Sequence, residues 1–371
     1  MFRLLSTFLL ALIAMPVAAD DGSLWVYFGT YTGRGSEGIY VSQLDTKTGQ
    51  LSAPQLAAKV ASPSFLAVHP GRKFLYAVSE VETTAGKKGG GVTAYQIDAA
   101  TGKLTKINAQ VSGGGAPCHV SVDPSGKVCL VANYSGGSVT SFPIHSDGSL
   151  GEAASFIKHE GKSVDKQRQE SPHAHSINCD HAGAFAFAAD LGTDEVRSYQ
   201  IDAATGKITP FHITKTPPGG GPRHFAFHPN GKWAYTNLEM TSSVTALTYD
   251  GHGKLTVGQT LSTLPEPTPG NSTAETRVHS SGKFVYVSNR GHNSIARFAV
   301  KADGSLEAKG HTSTGGKTPR NFGLVGDYLL AANQDSGNVV VFRIDAATGD
   351  LKPTGSEVKV SMPVCVVGVA K

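Results

Sequence analysis

The sequence predicts an all-β protein, a seven-bladed β-propeller built from four-stranded blades. Two kinds of turn alternate along the chain and recur with a mean spacing of about 50 residues. The chain also contains 44 glycines and few stretches with helical periodicity, a combination typical of short strands joined by tight turns. The two chain ends supply complementary strands, so the predicted ring can close.

The first repeated turn carries a Thr-Gly pair and ends on an apolar residue. It runs from Ile97 to Leu104 as IDAATGKL and recurs at 201–208 and 344–351. A repeat of this length made of strand-like units indicates a propeller or a solenoid. The apolar residues that close the seven copies are Leu51, Leu104, Leu150, Ile208, Leu255, Leu306 and Leu351.

The second turn falls between two apolar runs and ends in glycine, as in His69-Pro70-Gly71 and His228-Pro229-Asn230-Gly231. Glycine supplies the positive φ that such hairpins require, and His69 and His228 are predicted to be turn residues. Each repeat therefore contains four strands, a to d. The glycine turn joins a to b, and the Thr-Gly turn joins c to d.

The chain ends favour a closed ring. Leu24 to Thr30 resembles a strand b with no strand a before it, and Pro363 to Val369 resembles a strand a with nothing after it. Their pairing would complete one blade and leave no free edge. A solenoid would need polar capping repeats, which neither end offers. We therefore expect one propeller domain over residues 20–371.

Residues 1–19 have the pattern of a secretory signal peptide. Arg3 precedes an apolar run from Leu4 to Met15, and Val17-Ala18-Ala19 is a small-residue cleavage site. After residue 19 the sequence has no run of 18 consecutive apolar residues, so it does not predict a membrane-spanning helix. The net charge of +4 is small and evenly spread, which does not indicate nucleic acid. We expect a soluble periplasmic or secreted monomer that binds neither nucleic acid nor membrane.

Four cysteines occur within apolar strand patterns, without the spacing of a disulfide framework. We expect buried free thiols, although pairing stays open in an exported protein. No Cys-x-x-Cys or catalytic cysteine signature is present, so a thiol nucleophile is not expected. The cysteines are Cys118, Cys129, Cys179 and Cys365.

Strand order predicts where polar side chains gather. In an antiparallel blade, strand a starts on the face where strand b ends, so both sets of residues meet around one mouth of the channel. The strand a starts supply Ser64, Cys118, His119, His173, His175, Arg223, His224, Glu275, Arg277 and Arg320. The strand b ends supply Tyr31, Thr32, Glu80, Asn133, Tyr134, Asp190, Asp194, Asn237, Glu239, Asn289, Arg290, Asn333 and Gln334.

The arginines at this mouth indicate an anionic small ligand. Arg223, Arg290 and Arg320 would repel one another without an anion, and Arg277 is a candidate fourth member of the cluster. A guanidinium fork suits carboxylate or phosphate. The asparagines have an alternative role as caps of turns. His173-x-His175 could place two imidazoles on one face of a strand. The sequence fixes no third ligand, so we expect no metal and no other cofactor.

Four motifs resemble the seven-bladed lactonase family, which contains the bacterial propeller-type 6-phosphogluconolactonase and the fungal carboxymuconate cycloisomerase. They lie at 26–32, 132–139, 221–224 and 287–292, and the resemblance extends over residues 24–371. The resemblance implies that the catalytic residues are His175, Arg223, Glu239 and Arg290. The residues predicted to bind substrate at the same mouth are His119, His173, His224, Arg277, Arg320 and Asn133.

These residues predict a lactonase that hydrolyses a sugar-derived or other anionic lactone by base-assisted attack of water. His175 or Glu239 could be the base, and an arginine could stabilise the oxyanion. The alternatives are a cycloisomerase of the carboxymuconate type and an exported propeller that binds a ligand without turnover. Because a cytoplasmic sugar-phosphate enzyme would not be exported, the resemblance supports lactone chemistry more strongly than it supports this particular substrate. We also expect the mouth residues to lie outside the core.

Overall fold

Seven antiparallel sheets, each of four strands, follow one another along the chain. A computed structural model describes residues 22–84 and 86–371, so the predicted signal peptide at 1–19 lies outside the described residues. Neighbouring sheets pack against each other through their inner strands. The prediction of a seven-bladed propeller with four-stranded blades is confirmed.

The strands are given blade by blade, in chain order. The closing blade contains β1 (Ser23–Thr30), β2 (Gly38–Asp45), β3 (Gln55–Lys59) and β30 (Pro363–Ala370). The next two contain β4 (Leu66–Val68), β5 (Phe74–Ser79), β8 (Gly91–Ile97), β9 (Leu104–Val111), and then β10 (Pro117–Val122), β11 (Val128–Asn133), β12 (Ser138–Pro143), β13 (Ser155–Lys158). A small hairpin of β6 (Thr83–Thr84) and β7 (Lys87–Lys88) lies between β5 and β8.

The remaining four blades follow the same plan. The first of them contains β14 (Ala174–Cys179), β15 (Phe185–Asp190), β16 (Glu195–Asp202) and β17 (Lys207–Lys215). The second contains β18 (Pro222–Phe227), β19 (Trp233–Leu238), β20 (Ser243–Tyr249) and β21 (Leu255–Ser262). The last two contain β22 (Ser272–Val278), β23 (Phe284–Arg290), β24 (Ser294–Val300), β25 (Leu306–Ser313); β26 (Pro319–Val325), β27 (Tyr328–Asn333), β28 (Asn338–Ile344), β29 (Leu351–Lys359).

The ring closes as the chain ends predict. β30 pairs antiparallel with β1, from Leu24 opposite Ala370 to Thr30 opposite Pro363. As the innermost strand of its blade, β30 also contacts β26 and β4 in the blades on either side. The last strand of the chain therefore joins three blades, and the predicted closure is confirmed.

Burial follows the position of a strand in its blade. Every residue of β11 is buried, because a second strand is covered on both faces by neighbouring blades; its sequence is therefore continuously apolar up to Asn133. The outermost strand β21 instead alternates between buried or half-buried and exposed residues, as expected for a strand with one solvated face.

Both repeated turns connect neighbouring blades. Tyr235 in β19 donates a hydrogen bond to the carbonyl of Gly304 in the next blade's Thr-Gly-type turn (3.0 Å), and Tyr286 donates likewise to Gly349 (2.7 Å). On the glycine turns, the Nε2 of His228 lies 2.8 Å from the carbonyl oxygen of Gly282. The predicted turn role of His228 is confirmed, and the repeated turns form hydrogen bonds that hold neighbouring blades together.

The four cysteines are free thiols, and only Cys179 is partly exposed. This agrees with the expectation of unpaired cysteines in the strands. Residues 22–84 and 86–371 contain no helix with the length and apolar character needed to cross a membrane.

Candidate active site

β-Bulges turn three charged or basic side chains into the channel mouth. In β14, Ala174 pairs with Asp190 and Ser176 with Ala189, so His175 is an extra residue. Arg320 is the extra residue between Pro319 and Asn321 in β26. In β18 the register also shifts, between Pro222 and Phe225, where Arg223 lies. Bulges at sheet ends commonly re-aim side chains in this way.

The bulged residues line a narrow cavity at the mouth. Six of the seven blades contribute residues to it, from the starts of their a strands or the ends of their b strands. Strand order predicts this arrangement. Its lining residues are Tyr31, Ser64, Phe65, Glu80, Cys118, His175, Arg223, His224, Arg320 and Val364.

Three guanidinium groups surround the carboxylate of Glu239. Its Oε2 lies 2.9 Å from Nε of Arg223 and 3.0 Å from Nη2 of Arg290, and its Oε1 lies 2.9 Å from Nη2 of Arg168. Burial favours the protonated acid, but Arg290 and Arg223 outweigh it and hold the pKa of Glu239 well below its usual range. Glu239 is therefore a permanent carboxylate with a weak affinity for protons.

His175 is the neutral partner in this mouth. Burial, followed by the charge of Arg223, holds the pKa of His175 well below its usual value, so the imidazole is uncharged at neutral pH. The Sγ of Cys118 lies 3.7 Å from its Nδ1. Burial raises the pKa of the Cys118 thiol, which disfavours the reactive thiolate form. An uncharged imidazole has one nitrogen with a free lone pair, which can accept a hydrogen bond from a water molecule.

A second cluster with charged side chains, formed by Tyr31, Glu80 and Arg320, lines the same cavity as His175. Tyr31 donates its hydroxyl to Glu80, 3.0 Å from each carboxylate oxygen. The guanidinium of Arg320 lies over the Tyr31 ring, 5.4 Å from its centroid. Burial opposes the charge on Arg320, but Tyr31 and Glu80 raise its pKa. The mouth thus contains four arginines (Arg168, Arg223, Arg290, Arg320) and two glutamates, a net charge of +2.

Two buried donors in this cluster have no hydrogen-bond acceptor among the described residues. They are the Nε–H groups of Arg223 and Arg290. The Nε of Arg223 is at ion-pair distance from Glu239, but its N–H does not point along a hydrogen bond to the carboxylate. A buried donor without an acceptor costs about 1–3 kcal/mol, so Glu239 alone does not satisfy all the donors of this arginine cluster.

Two predicted binding residues lie deeper in the channel instead of at the mouth. The His119 ring lies against that of Phe65, with centroids 4.2 Å apart and the planes tilted by 30°, and Arg277 pairs with Glu275 at 3.3 Å. Both line a separate cavity further along the channel, because they lie further along the inner strands. The prediction that Arg277 joins the mouth arginines is wrong.

His224 connects these two levels. It lines the mouth cavity, while its Nδ1 lies 2.9 Å from Oε1 of Glu275. Glu275 also accepts from Asn321, and burial raises the pKa of Glu275. The cluster of His224, Glu275, Asn321 and Arg277 forms a polar floor beneath the mouth.

Asn133 and His173 serve the scaffold. Asn133 is fully buried and donates to Ser138 (3.1 Å) and Thr140 (3.2 Å) within its own blade. These contacts favour the alternative of a structural asparagine over the predicted substrate-binding role of Asn133. His173 stacks on Tyr134 at 4.6 Å and donates from Nδ1 to the Tyr134 carbonyl (3.0 Å), which supports the rim of the mouth.

No group of three or more His, Cys, Asp or Glu side chains in the described ranges has a geometry suited to a metal ion. His173 faces Tyr134, whereas His175 faces the cavity, so the predicted pair does not converge. The expectation that the protein needs no metal stays a prediction.

Arg168 is the mouth residue that sequence reasoning missed. It lies in the irregular segment 159–173 between β13 and β14, which has neither a strand pattern nor a repeated turn. The available signal was the length of this segment and its end at His173, directly before a strand a start.

The fold is a β-propeller, and its channel mouth carries a cluster of arginine side chains around the Glu239 carboxylate. The chain belongs to the seven-bladed β-propeller lactonase family: the family model described as "Lactonase, 7-bladed beta-propeller" matches residues 25–368. The resemblance inferred from the four motifs is confirmed.

Individual relatives cover nearly the whole chain. The 6-phosphogluconolactonase of Bacillus subtilis is 41% identical over 345 residues, which are 92% of this chain and 97% of the relative. The 6-phosphogluconolactonase of Formosa agariphila is 33% identical over 346 residues, 91% and 97% of the two chains. The solved structure of the periplasmic gluconolactonase of Pseudomonas aeruginosa superposes with a TM-score of 0.87 at 33% identity, over 94% of this chain and 99% of that chain.

Proposed function

We propose that this protein is a lactonase that hydrolyses a sugar-derived lactone carrying an anionic group, with His175 as the general base. The observation that carries the proposal is a neutral, buried histidine beside an arginine cluster with two unpaired buried N–H donors. Relatives at 41% and 33% identity are 6-phosphogluconolactonases, which supports the same reaction class.

The proposed reaction uses water as the nucleophile. His175 takes a proton from water while the water oxygen forms a bond to the lactone carbonyl carbon. The tetrahedral intermediate then breaks the bond between this carbon and the ring oxygen, and His175 returns the proton to the departing oxygen. The product is the open hydroxy acid. General base catalysis of this kind contributes about 10²- to 10⁴-fold.

Arg223 and Arg320 both line the cavity of His175, and we assign oxyanion stabilisation to Arg223 because its charge lowers the pKa of His175 more than that of Arg320 does. A donor aimed at the oxyanion typically contributes about 10²- to 10³-fold. Arg290 and Arg320 would hold the anionic group of the substrate. Glu239 is a poor candidate for the base, since its low pKa reflects ion pairs with three arginines. We assign it the role of positioning those guanidinium groups.

We also propose that the protein is exported to the periplasm or secreted. The apolar run at 4–15 and the small residues Val17-Ala18-Ala19 support a cleaved signal peptide. A periplasmic gluconolactonase among the structural relatives is consistent with this location. The substrate of an exported enzyme is then a lactone available outside the cytoplasm.

The function can be tested by pH-stat, since opening a lactone releases acid. The mature chain should accelerate hydrolysis of 6-phosphoglucono-δ-lactone or glucono-δ-lactone above the spontaneous rate. Ligand binding without acceleration would instead support the non-catalytic alternative. Cyclisation of a carboxymuconate, in the absence of lactone hydrolysis, would support the cycloisomerase.

A further inference from the structure

Arg168 differs from the other arginines around Glu239 in its access to solvent. Its side chain is 45% exposed, whereas those of Arg223 and Arg290 are 2% and 13% exposed. All three pair with the same carboxylate. Arg168 is therefore the member of this group that an incoming molecule can contact first.

Only one nitrogen of the Arg168 guanidinium is engaged by the described residues. Nη2 donates to the Tyr134 hydroxyl (3.0 Å) and to Oε1 of Glu239 (2.9 Å). Nη1 and Nε have no protein acceptor within residues 22–84 and 86–371. Glu239 and Tyr134 thus hold the guanidinium in place while its other donors stay available. A guanidinium with free donors suits a phosphate or carboxylate oxygen.

The backbone that carries Arg168 is fixed. Oδ1 of Asp165 accepts from the backbone N–H groups of Gln167 and Arg168, both at 2.8 Å. Gln169 is fully buried and donates to the carbonyl of Leu191 (2.9 Å). Ser163 donates to Asp194 at 2.5 Å. The position of Arg168 at the mouth is consequently built into the segment.

We infer that Arg168 is a specificity-determining residue that donates to the anionic group of the substrate and selects charged over neutral lactones. The substrate part of this inference rests on the proposed lactonase function. The anion-binding part does not, because it can be measured without turnover. Charge supports the inference: with Arg168 included the mouth has a net charge of +2, which matches a phosphate monoester at neutral pH.

The kinetic test uses Arg168→Gln, with Lys166→Gln as the matched control. Lys166 is exposed on the same segment, so the control removes the same charge from a position with no contact to Glu239 among the described residues. Arg168→Gln should raise KM for 6-phosphoglucono-δ-lactone about 10- to 100-fold, with little change in kcat. The loss of kcat/KM for neutral glucono-δ-lactone should be at least about tenfold smaller than the loss for the charged lactone, and Lys166→Gln should match the parent on both substrates.

Equal losses on the charged and neutral lactones would contradict the inference, because they would mean that Arg168 only supports Glu239. Arg168→Lys should recover part of the lost affinity for the charged lactone, since it restores the charge without the guanidinium fork. No recovery, with unchanged melting temperature, would also count against a charge-based role.

The binding test measures inorganic phosphate by isothermal titration calorimetry. The parent and Lys166→Gln should bind phosphate alike, and Arg168→Gln should bind it about tenfold or more weakly. Equal phosphate affinity in parent and Arg168→Gln, or no binding by the parent, would overturn the inference. A parent that binds phosphate through Arg168 but hydrolyses no lactone would refute the proposed function and the substrate part of this inference, and would leave its anion-binding part standing.

Discussion

Nε of Arg223 lies 2.9 Å from Oε2 of Glu239, and only 2% and 5% of the two residues' surfaces are exposed. Arg223 is among the largest fully buried side chains described. The expectation that mouth residues lie outside the core is therefore wrong for this pair. Near the channel axis, residues at the mouth are therefore also part of the buried interior.

Glu239→Gln should destabilise the fold, because it leaves three guanidinium groups without their shared carboxylate. Removing one partner of a buried ion pair typically costs about 3–5 kcal/mol. The free energy of unfolding from urea titrations measures the loss. Glu307→Gln is the control, since Glu307 forms an exposed pair with Lys309 and its loss should leave the urea midpoint close to that of the parent. An unchanged urea midpoint for Glu239→Gln would show that the cluster is not held together by this carboxylate.

Acidification below about pH 6.5 should destabilise the protein. Burial lowers the pKa of His119, His175 and His224 in the folded state, so the unfolded chain binds more protons. This contribution to stability is present above the unfolded pKa and is lost as the pH falls toward the folded pKa. Glu239, whose pKa is also lowered, acts in the same sense only below its ordinary pKa of 4.5.

His119→Gln isolates one of these histidines. Glu275 acts in the opposite sense, since burial raises its pKa, so the comparison between variants is more informative than the parent alone. Between pH 7.5 and 5.5, the melting temperature of His119→Gln should fall less steeply than that of the parent, a range set around the ordinary histidine pKa of about 6.5. The exposed His252→Gln should follow the parent. Parallel curves for parent and His119→Gln would argue that His119 does not titrate on unfolding.

Deletion of the last ten residues, 362–371, should abolish the closed ring. It removes β30, which pairs with β1 and contacts the blades on both sides. The exposed edge of β1 and the uncovered inner strands should cause aggregation, measured by size-exclusion chromatography. A soluble truncated protein with the parent melting temperature would show that β30 is dispensable.

The fold could be predicted because its signal is repeated. Seven copies of the Thr-Gly turn locate the blades, and each copy occupies the same structural position. The pairing of 363–369 with 24–30 followed from counting the strands at the two ends. Repetition makes each inference independent of small errors in any single strand.

The site was only partly predictable, because strand order assigns a residue to one end of the channel but does not give its depth along the channel axis. Strand order brings Arg223, Arg320 and Glu239 to one end of the channel. It does not reveal that Arg277, several residues along β22, points into the deeper cavity. The bulges that turn His175 and Arg320 inward depend on one extra residue each, which no periodicity shows. Arg168 comes from an irregular segment, whose path depends on tertiary contacts such as Gln169 with Leu191.

The most direct test of the central claim is the pH dependence of kcat/KM for lactone hydrolysis by the parent and by His175→Asn. Because the pKa of His175 is lowered, the parent should keep its activity below the ordinary histidine pKa of about 6.5 before the acid limb begins. His175→Asn should lose about 10²- to 10⁴-fold in kcat while still unfolding in one cooperative thermal transition, and the exposed His252→Asn should behave as the parent. A folded His175→Asn that hydrolyses the lactone at the parent rate would contradict the account.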